Sequence, residues 1–394
     1  MEMLATIFAW LIAAGPALAL AIYTLEVATG LRGNRPEPAP GKPSGKVVIL
    51  IPAHNEAAGI AATVARMRAI LPEGGRVLVV ADNCDDQTAA IARSAGADVA
   101  ERTDPERRGK GYALSHGCHV LSNDPPATVI IVDADADMAP GSIEHLCRVT
   151  DSGIPAQSTN LLLPDRSAPA LVQISNFAFL IKNLVRSRGL GRIGRCALLT
   201  GSGMAFPWTV FANAPLASGN IAEDLALGIE LTRTCRSAKM VEEAVVLSQA
   251  AALDASVTQR QRWEHGFLTN ALRYALPTLG EGVRQGSRSM MALGLHLLVP
   301  PLALLMIVSA AALAVLAIVG LVWSVWAPAI LLAFLLGSAV FLTIVAWLLY
   351  GRETLRLNAL LQVPLYVLWK LPLYVRFLFK RETRWQRTRR EGDV

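Results

Sequence analysis

Residues 47–56 read Val47-Val-Ile-Leu-Ile-Pro-Ala-His-Asn-Glu56, a run of apolar and mostly β-branched residues that ends in polar ones. A short apolar run of this kind, stopped by Pro, predicts a strand that is buried on both faces. Similar strands are predicted over 76–80, 97–100 and 128–132, separated by helices over 57–70, 86–94 and 111–121. Apolar strands that alternate with helices predict an α/β fold with a mostly parallel sheet.

Acidic and amide residues stand directly after three of these strands: His54-Asn-Glu56, Asp82-Asn83 and Asp133-Ala-Asp135-Ala-Asp137. Ligands of such sheets bind at the carboxyl ends of the strands, so these groups are expected to converge. Converging carboxylates without Cys or His partners suit a hard cation, Mg²⁺ or Mn²⁺, that bridges phosphate oxygens. Glu56 and Asp82 would equally suit hydrogen bonds from a base or a ribose.

The Asp run has two other interpretations. Its carboxylates would also suit the cap of a helix that is expected to begin at Gly141-Ser142. A calcium loop would use Asp133, Asp135, Asp137 and Glu144 at its positions 1, 3, 5 and 12. Position 6 would then be Met138, where the turn requires Gly, and a strand rather than a helix precedes the run.

Basic and small residues supply the rest of the candidate site. Lys110 lies between two glycines that would let a diphosphate approach it, although a solvated basic turn explains the segment equally well. The small residues of Thr200-Gly-Ser-Gly-Met204 would let the backbone approach a ligand. Glu223-Asp224 precedes a helical stretch, where capping is the alternative role. In Gln259-Arg-Gln-Arg262-Trp263, on a long predicted helix, Arg suits a diphosphate and Trp a sugar or base.

The composition also indicates a membrane. Only 17% of the 394 residues are charged, against about a quarter in soluble chains. Residues 3–25 carry no charge, which predicts one spanning helix of about 20 residues or more. A signal peptide is the alternative, but the start lacks a basic region. Residues 289–351 are also uncharged and predict two spans, near 294–318 and 328–350.

Basic residues beside the spans predict the orientation, with residues 30–290 in the cytoplasm and the N-terminus outside. They are Arg32, Arg35, Lys42, Lys46, Arg284, Arg288, Arg352 and Arg356. Residues 355–379 are apolar but interrupted by Pro and Lys, which favours a helix lying on the cytoplasmic leaflet over a short fourth span. Residues 352–394 carry ten Lys or Arg and four Asp or Glu, which accounts for the whole net charge of +6. This tail favours anionic membrane lipids, and no motif supports nucleic-acid binding.

The predicted organisation therefore has five parts. Residues 1–28 form an N-terminal transmembrane helix and 29–46 a linker. Residues 47–285 form a cytoplasmic domain and 289–351 two transmembrane helices. Residues 352–394 form an interfacial amphipathic segment and a basic tail.

Taken in order, the motifs resemble those of membrane-bound family-2 glycosyltransferases of the cellulose synthase/hyaluronan synthase type. The resemblance covers about 47–265 and the membrane arrangement, and it implies a GT-A-like, Rossmann-type nucleotide-sugar-binding domain with transmembrane helices. One residue departs from the family pattern, because Ala222 stands where Thr is usual before Glu-Asp. The matching motifs are Pro52-Ala-His-Asn-Glu56, Ala81-Asp-Asn-Cys-Asp-Asp86, Arg108-Gly-Lys-Gly111, Asp133-Ala-Asp135, Gly201-Ser-Gly203, Glu223-Asp224 and Gln259-x-x-Arg262-Trp263.

The resemblance also implies roles for individual residues. Glu56 and Asp82 would hold the nucleoside, and Lys110 would lie near its diphosphate. Asp133 and Asp135 would bind the metal, Asp133 on the nucleotide side. Asp224 would be the general base, with Glu223 beside it. Gln259, Arg262 and Trp263 would close over the diphosphate and the acceptor, next to Gly201, Ser202 and Gly203.

The expected reaction is an inverting transfer of a hexosyl or N-acetylhexosaminyl group that depends on Mg²⁺ or Mn²⁺. The donor is expected to be a nucleotide sugar, UDP-linked, and the acceptor a growing polysaccharide at the cytoplasmic membrane face. Three spans make a small conduit for a polymer, so the alternative is a single transfer to a lipid, as in the ceramide glucosyltransferase-like branch. The expected partners are the nucleotide sugar, the glycan or lipid acceptor, membrane lipids and, for an exported polymer, an accessory export subunit. A non-catalytic receptor is disfavoured, because Asp135, Asp224 and Arg262 are all present.

Overall fold

The computed structural model describes residues 2–34, 40–249 and 253–379, which form two compact units. One unit contains the described chain up to Gly33, residues 164–193 and residues 271–379. The other contains residues 34–163 and 194–270. The sequence places 164–193 and 271–285 in the cytoplasmic domain, whereas in the structure they group with the apolar helices. Most residues of 170–180 are apolar, and more than half are buried, which explains part of this difference.

The second unit is built on a mixed sheet in which eight described strands take the order β3-β2-β1-β4-β7-β6-β8-β5. Strands β3, β2, β1 and β4 are parallel neighbours, and β6 runs parallel to β8. Strand β7 is antiparallel to β4 and β6, and β5 is antiparallel to β8. The strands are β1 (Val47–Ala53), β2 (Arg76–Asp82), β3 (Asp98–Arg102), β4 (Thr128–Ile131), β5 (Ala136–Met138), β6 (Ala156–Leu162), β7 (Met204–Pro207) and β8 (Lys239–Ser248).

The three helices predicted between β1 and β4 are present and differ from the prediction by at most three residues at their ends, whereas several later helices were not predicted. They are α1 (Glu2–Gly30), α2 (Ile60–Ile70), α3 (Thr88–Ser94), α4 (Lys110–Leu121), α5 (Ser142–Thr150), α6 (Ala170–Leu180), α7 (Ser187–Gly194), α8 (Trp208–Phe211), α9 (Glu223–Arg233), α10 (Leu253–Gln285), α11 (Arg288–Leu297), α12 (Leu302–Trp323), α13 (Ala327–Ala346), α14 (Leu357–Leu360), α15 (Val363–Trp369) and α16 (Leu371–Phe379). Two π-helical turns, Ile181–Arg186 and Trp347–Gly351, follow α6 and α13.

Strand β1 lies in the middle of the core, as its apolar sequence predicts. Ile49 and Ile51 pack with Met67 of α2 on one face of the sheet. Val48 and Leu50 pack with residues of α4 on the other face. Because successive side chains of a strand point to opposite faces, a continuous apolar run is required where both faces are covered.

Three helices are long and apolar enough to cross a membrane: Glu2–Gly30, Leu302–Trp323 and Ala327–Gly351. The second begins at Leu302 and not near 294, because Pro300-Pro301 separates it from the shorter α11. Proline lacks the amide hydrogen that a helix interior needs, so the helix begins beyond it. Residues 357–379 form three short helices, none of which has the length of a span. The basic residues 380–394 lie outside the described chain.

In the unit that contains the apolar helices, α1 is held by close backbone contact and by a buried charge cluster. A Cβ atom on Gly189 would clash with the carbonyl oxygen of Glu26, and one on Gly30 would clash with the carbonyl oxygen of Val185. The Glu26 carboxylate accepts hydrogen bonds of 2.7 Å from Arg186 Nε and from His296 Nδ1. All three side chains are buried. Small residues permit this close approach of helices, and the paired charges compensate one another.

Candidate functional site

The loops that follow β1 and β2 are fastened to each other. Asn55 and Asn83 both adopt positive φ angles, of 56° and 53°. The amide of Asp85 donates to Asn55 Oδ1 at 3.0 Å, and the amide of Glu56 donates to Thr88 Oγ1 at 2.7 Å. The half-buried Glu56 is therefore held on a cross-linked loop at the carboxyl edge of the sheet.

Asp82 ends β2 beside a cation that the sequence analysis missed. Arg102 Nη1 donates to Asp82 Oδ1 at 2.6 Å, and both side chains are largely buried. The Arg102 guanidinium also lies 5.5 Å from the ring centroid of Tyr112. Asp82 and Arg102 are direct partners in the parallel register of β2 and β3. Aligning the two predicted strands would have been the only sequence signal for this pair.

Lys110 and Asp133 meet at the end of β4. Lys110 Nζ donates to Asp133 Oδ1 at 2.5 Å and to the carbonyl oxygen of Gly201 at 2.6 Å. Burial opposes the charge of Lys110, but Asp133 and the nearby Glu223 and Asp224 outweigh it and raise the pKa of the ammonium. The lysine therefore stays charged inside a ring of carboxylates.

Gly201 lies at the centre of these groups. Its φ is +84°, and a Cβ built on it would lie 3.2 Å from Asp224 Oδ2, 3.5 Å from Lys110 Nζ and 3.9 Å from Asp133 Oδ2. Any residue other than glycine would be strained at this φ, and its Cβ would press on Asp224 Oδ2 and touch the other two side chains. The structure thus brings together residues from three separate sequence motifs.

Other small residues of these motifs have structural partners. A Cβ on Gly111 would lie 2.6 Å from the carbonyl oxygens of Leu216 and Ser218, so close packing of α4 explains this glycine. Ser202 is buried, and its hydroxyl accepts the amide of Asp133 at 3.1 Å. Gly203 donates its amide to the carbonyl of the last residue of β4 at 2.8 Å. These contacts hold the loop that presents Gly201 and Asp133.

Two acidic residues begin α9. Burial, followed by the charge of Asp224, raises the pKa of Glu223 to about 8, and Lys110 acts in the opposite direction. Glu223 therefore holds a proton at neutral pH. Asp224 Oδ1 accepts the amide of Leu225 at 2.7 Å, while Asp224 Oδ2 faces Gly201. No described side chain caps the start of α9 at Ala222, so the structure does not support the capping interpretation, and the second oxygen of Asp224 faces the site.

The motif on α10 belongs to the same electrostatic cluster. Burial lowers the pKa of Arg262, while the charges of Glu223 and Asp133 act to raise it. Gln259 and Trp263 are half-buried on the same helix. The guanidinium therefore lies near the carboxylates that surround Gly201.

The donor set of the Asp run fits a hard divalent cation. Asp133 and Asp135 are partly exposed, and both offer carboxylate oxygens. Among the described residues no group of three or more His, Cys, Asp or Glu could hold a metal. Mg²⁺ and similar ions are commonly held by one or two carboxylates, with phosphates and water completing the shell. The site fits such an ion together with a bound phosphate.

The two other interpretations of the Asp run do not agree with the structure. Asp137 lies in β5 and pairs with Arg66 at 3.4 Å, so it cannot complete a calcium loop with Asp133. Helix α5 is preceded by Gly141, and no side chain caps it. The run therefore neither forms a calcium loop nor caps α5.

Comparison with known proteins identifies the family. Residues 43–266, more than half of the chain, match the model of glycosyltransferase like family 2. Uncharacterized glycosyltransferases of Mycobacterium bovis and Mycobacterium tuberculosis are 35% identical over 107 residues, which are 27% of this chain and 44% of each relative. The match therefore spans less than half the length of these relatives.

One solved structure shows the same fold. A mannosyltransferase from Pyrobaculum calidifontis, in complex with GDP-Man and Mn²⁺, is 18% identical with a TM-score of 0.54 and covers 85% of this chain and 98% of its own. A glucosyl-3-phosphoglycerate synthase from Mycobacterium tuberculosis is 19% identical with a TM-score of 0.38, covering 57% and 78%. The GT-A-like α/β fold expected from the sequence is thus confirmed. With its family model matched from the linker to the α10 motif, the chain belongs to the family-2-like glycosyltransferases.

Proposed function

We propose that this protein transfers a sugar from a nucleotide-diphosphate sugar to an acceptor hydroxyl with inversion at the anomeric carbon, and that Asp224 is the general base. The observation that carries the proposal is the convergence of Asp224 Oδ2, Lys110 Nζ and Asp133 Oδ2 around Gly201. A base, a cation and a metal-ligating carboxylate within a few ångströms are the groups that such a displacement needs.

The donor would lie along the carboxyl edge of the sheet. Glu56 and Asp82 would hold the nucleoside, and Lys110 and Arg262 the diphosphate. Asp133 and Asp135 would hold Mg²⁺ or Mn²⁺, which when bound would neutralise part of the diphosphate charge. The solved mannosyltransferase contains GDP-Man and Mn²⁺, which supports this donor class.

The chemistry follows from the protonation states. An acceptor hydroxyl has a pKa far above 7, so Asp224 would take its proton as the oxygen bonds to the anomeric carbon. The bond between that carbon and the diphosphate oxygen breaks, and the electron pair leaves with the nucleoside diphosphate. Lys110 and Arg262 would stabilise the charge that develops on this leaving group. Glu223, which holds a proton at neutral pH, would add no negative charge beside it. One displacement converts an α-linked donor into a β-linked product.

The acceptor is proposed to be a membrane lipid. Helix α1 packs against both α12 and α13, and Ala9, Leu316 and Leu332 are fully buried. The hydroxyl groups of Thr343 of α13 and Tyr23 of α1 share a hydrogen bond of 2.7 Å. Closely packed apolar helices offer little polar lining for a glycan chain, whereas a lipid acceptor needs none. Extension of a polysaccharide remains the second candidate, because the motifs themselves resemble those of polymer synthases.

The experiment combines a donor screen with product analysis. Purified protein in lipid would be incubated with radiolabelled nucleotide sugars, with and without Mg²⁺ or Mn²⁺. We expect metal-dependent transfer from one donor and a single organic-soluble product. A ladder of products would indicate a polymer instead, and absence of transfer from every donor by folded protein would contradict the function.

Substitution of the base tests the mechanism directly. Asp224→Asn removes the proton acceptor but keeps the side-chain volume, so we expect kcat to fall by about a hundredfold or more with donor affinity retained. Turnover and nucleotide affinity would be measured on the same preparation. Near-normal turnover in this variant would show that Asp224 is not the base.

A further inference from the structure

The start of α9 lacks the usual side-chain cap. Ala222 occupies the position before the helix, and its methyl group cannot accept a hydrogen bond from the first amides. Capping residues with an acceptor side chain normally fix such a helix start. Glu223 and Asp224 occupy the first two positions of this helix, so something else must fix their placement.

A closed ring of hydrogen bonds takes over this task. Asn220 Oδ1 accepts the amide of Ala222 at 3.1 Å, and Asn270 Nδ2 donates to the carbonyl of Ala222 at 3.2 Å. Asn220 Nδ2 donates to Asn270 Oδ1 at 2.9 Å and closes the ring. Both main-chain groups of Ala222 are thus held by side chains. We call Asn220, Ala222 and Asn270 the asparagine clamp.

Asn270 is the buried member of the clamp and lies on α10. Asn270 is 1% exposed, so its amide has the clamp partners in place of water. Along α10, Arg262, Gly266 and Asn270 follow at spacings of four residues, which place them on one face of the helix. A Cβ on Gly266 would lie only 3.0 Å from Cβ of Ala222, so this helix face touches the start of α9 directly.

We propose that Asn270, acting through Asn220 and Ala222, is a positioning residue that holds the Glu223–Asp224 pair in register with the Arg262 motif. The inference rests on the proposed function, because it takes Asp224 as the general base. Asn270 lies two helical turns beyond the Arg262 motif on α10. The same helix would therefore carry groups that bind the donor and a group that orients the base. Loss of the clamp would move the base without removing any group that binds the donor.

The kinetic test uses Asn270→Ala, Asn220→Ala and the double variant, with Asn213→Ala as the matched control. Asn213 is an exposed asparagine whose side chain donates to the carbonyl of Thr209 at 2.8 Å. Small displacements of a reacting group are costly, so we expect Asn270→Ala to lower kcat by about tenfold to a hundredfold, with donor KM changed less than about twofold. Because both asparagines belong to the same ring of hydrogen bonds, kcat of the double variant should be no lower than that of the less active single variant.

Hydrogen–deuterium exchange of the full chain provides a readout that does not depend on activity. The amides of residues 222–226 should exchange faster in Asn270→Ala than in the wild type, and at the wild-type rate in Asn213→Ala. Nucleotide affinity should stay near that of the wild type. Unchanged exchange, additive kinetic effects or a change confined to donor KM would each overturn the inference. A wild-type chain that transfers no sugar would overturn the proposed function, and exchange would still decide whether the clamp orders this segment.

Discussion

Gly201 shows how one missing side chain makes room for chemistry. The three polar atoms around it come from α4, from the end of β4 and from α9, and a methyl group would fall between them. The positive φ alone would be tolerated at modest cost, whereas a methyl group 3.2 Å from Asp224 Oδ2 would also push the proposed base out of place. The two effects can be separated, because the same unit contains a glycine with similar backbone geometry and open space.

Gly201→Ala should therefore inactivate the protein beyond its effect on stability. Gly153 has a φ of +77° and no atom within 4 Å of a built Cβ, so Gly153→Ala is the matched control. Both variants should lose about 1–2 kcal/mol of stability from backbone strain. Turnover should fall only in Gly201→Ala, and equal turnover in the two variants would remove Gly201 from the site.

Glu223 makes stability depend on pH. The folded protein keeps its proton up to about pH 8, whereas the ordinary pKa is 4.5. The folded state then binds more protons than the unfolded chain in this window, so the free energy of unfolding falls as pH rises from 4.5 to 8. Glu223→Gln should flatten this slope in a thermal-unfolding series across the window. The exposed Glu73→Gln should leave it unchanged, and a slope that persists in Glu223→Gln would contradict the prediction.

Helix α1 is held by hydrogen bonds to the carbonyl groups at its C-terminal end. Its last carbonyl groups receive donors from other segments: Arg188 Nη1 donates to Gly30 O at 2.7 Å, and Arg192 and Tyr350 donate to Thr29 and Leu31. Cations at a helix C-terminus also complement its dipole. The arginines of 186–192 are thus structural partners of α1.

The buried charge cluster predicts a sharp mutational signature. Arg186→Leu leaves the Glu26 carboxylate without its main cation, which should cost about 3–5 kcal/mol, whereas Glu26→Leu with Arg186→Leu should recover much of that loss. Apparent unfolding temperatures in detergent would measure this. Arg66→Leu is the control, because its pair with Asp137 is exposed and should matter little. A double variant as unstable as Arg186→Leu would show that the pair itself is not responsible.

Helix α10 is one continuous element of 33 residues that contributes to both units. Its first part carries the Arg262 motif and the clamp, and its later part groups with the apolar helices. Continuity of a helix means that residues separated by several turns keep a fixed spacing along its axis. The placement of Arg262 relative to Asn270 is therefore a property of the helix itself.

At the level of the molecule, three apolar helices fit association with a membrane, and the orientation is a prediction. If residues 30–290 are cytoplasmic, the exposed Cys235 should react with a membrane-impermeant maleimide only after the cells are permeabilised. The test would use a variant that keeps Cys235 and replaces Cys84, Cys118, Cys147 and Cys196. Labelling of Cys235 in intact cells would show that the orientation is the reverse of the predicted one. A cysteine placed between α12 and α13 should react in intact cells.

Much of this architecture could be predicted from local patterns. The order of strands and helices from β1 to β4 follows from apolar runs and their periodicity, which depend on neighbouring residues alone. The uncharged stretches predict the spans for the same reason. The meeting of Lys110 and Asp224 with Asp133 was expected only from the family resemblance, because neither Lys110 nor Asp224 directly follows a predicted strand.

Contacts between distant residues could not be predicted in this way. Asp82 and Arg102 depend on strand register, Asn220 and Asn270 are 50 residues apart, and Glu26 and Arg186 are 160 apart. No periodicity connects such residues, so only the folded chain pairs them. Local propensity therefore determines which elements exist and where their polar ends fall. Packing, which depends on all elements together, determines at which glycine a side chain would disturb the site. It also determines which helix start needs a clamp and which charges are buried in pairs.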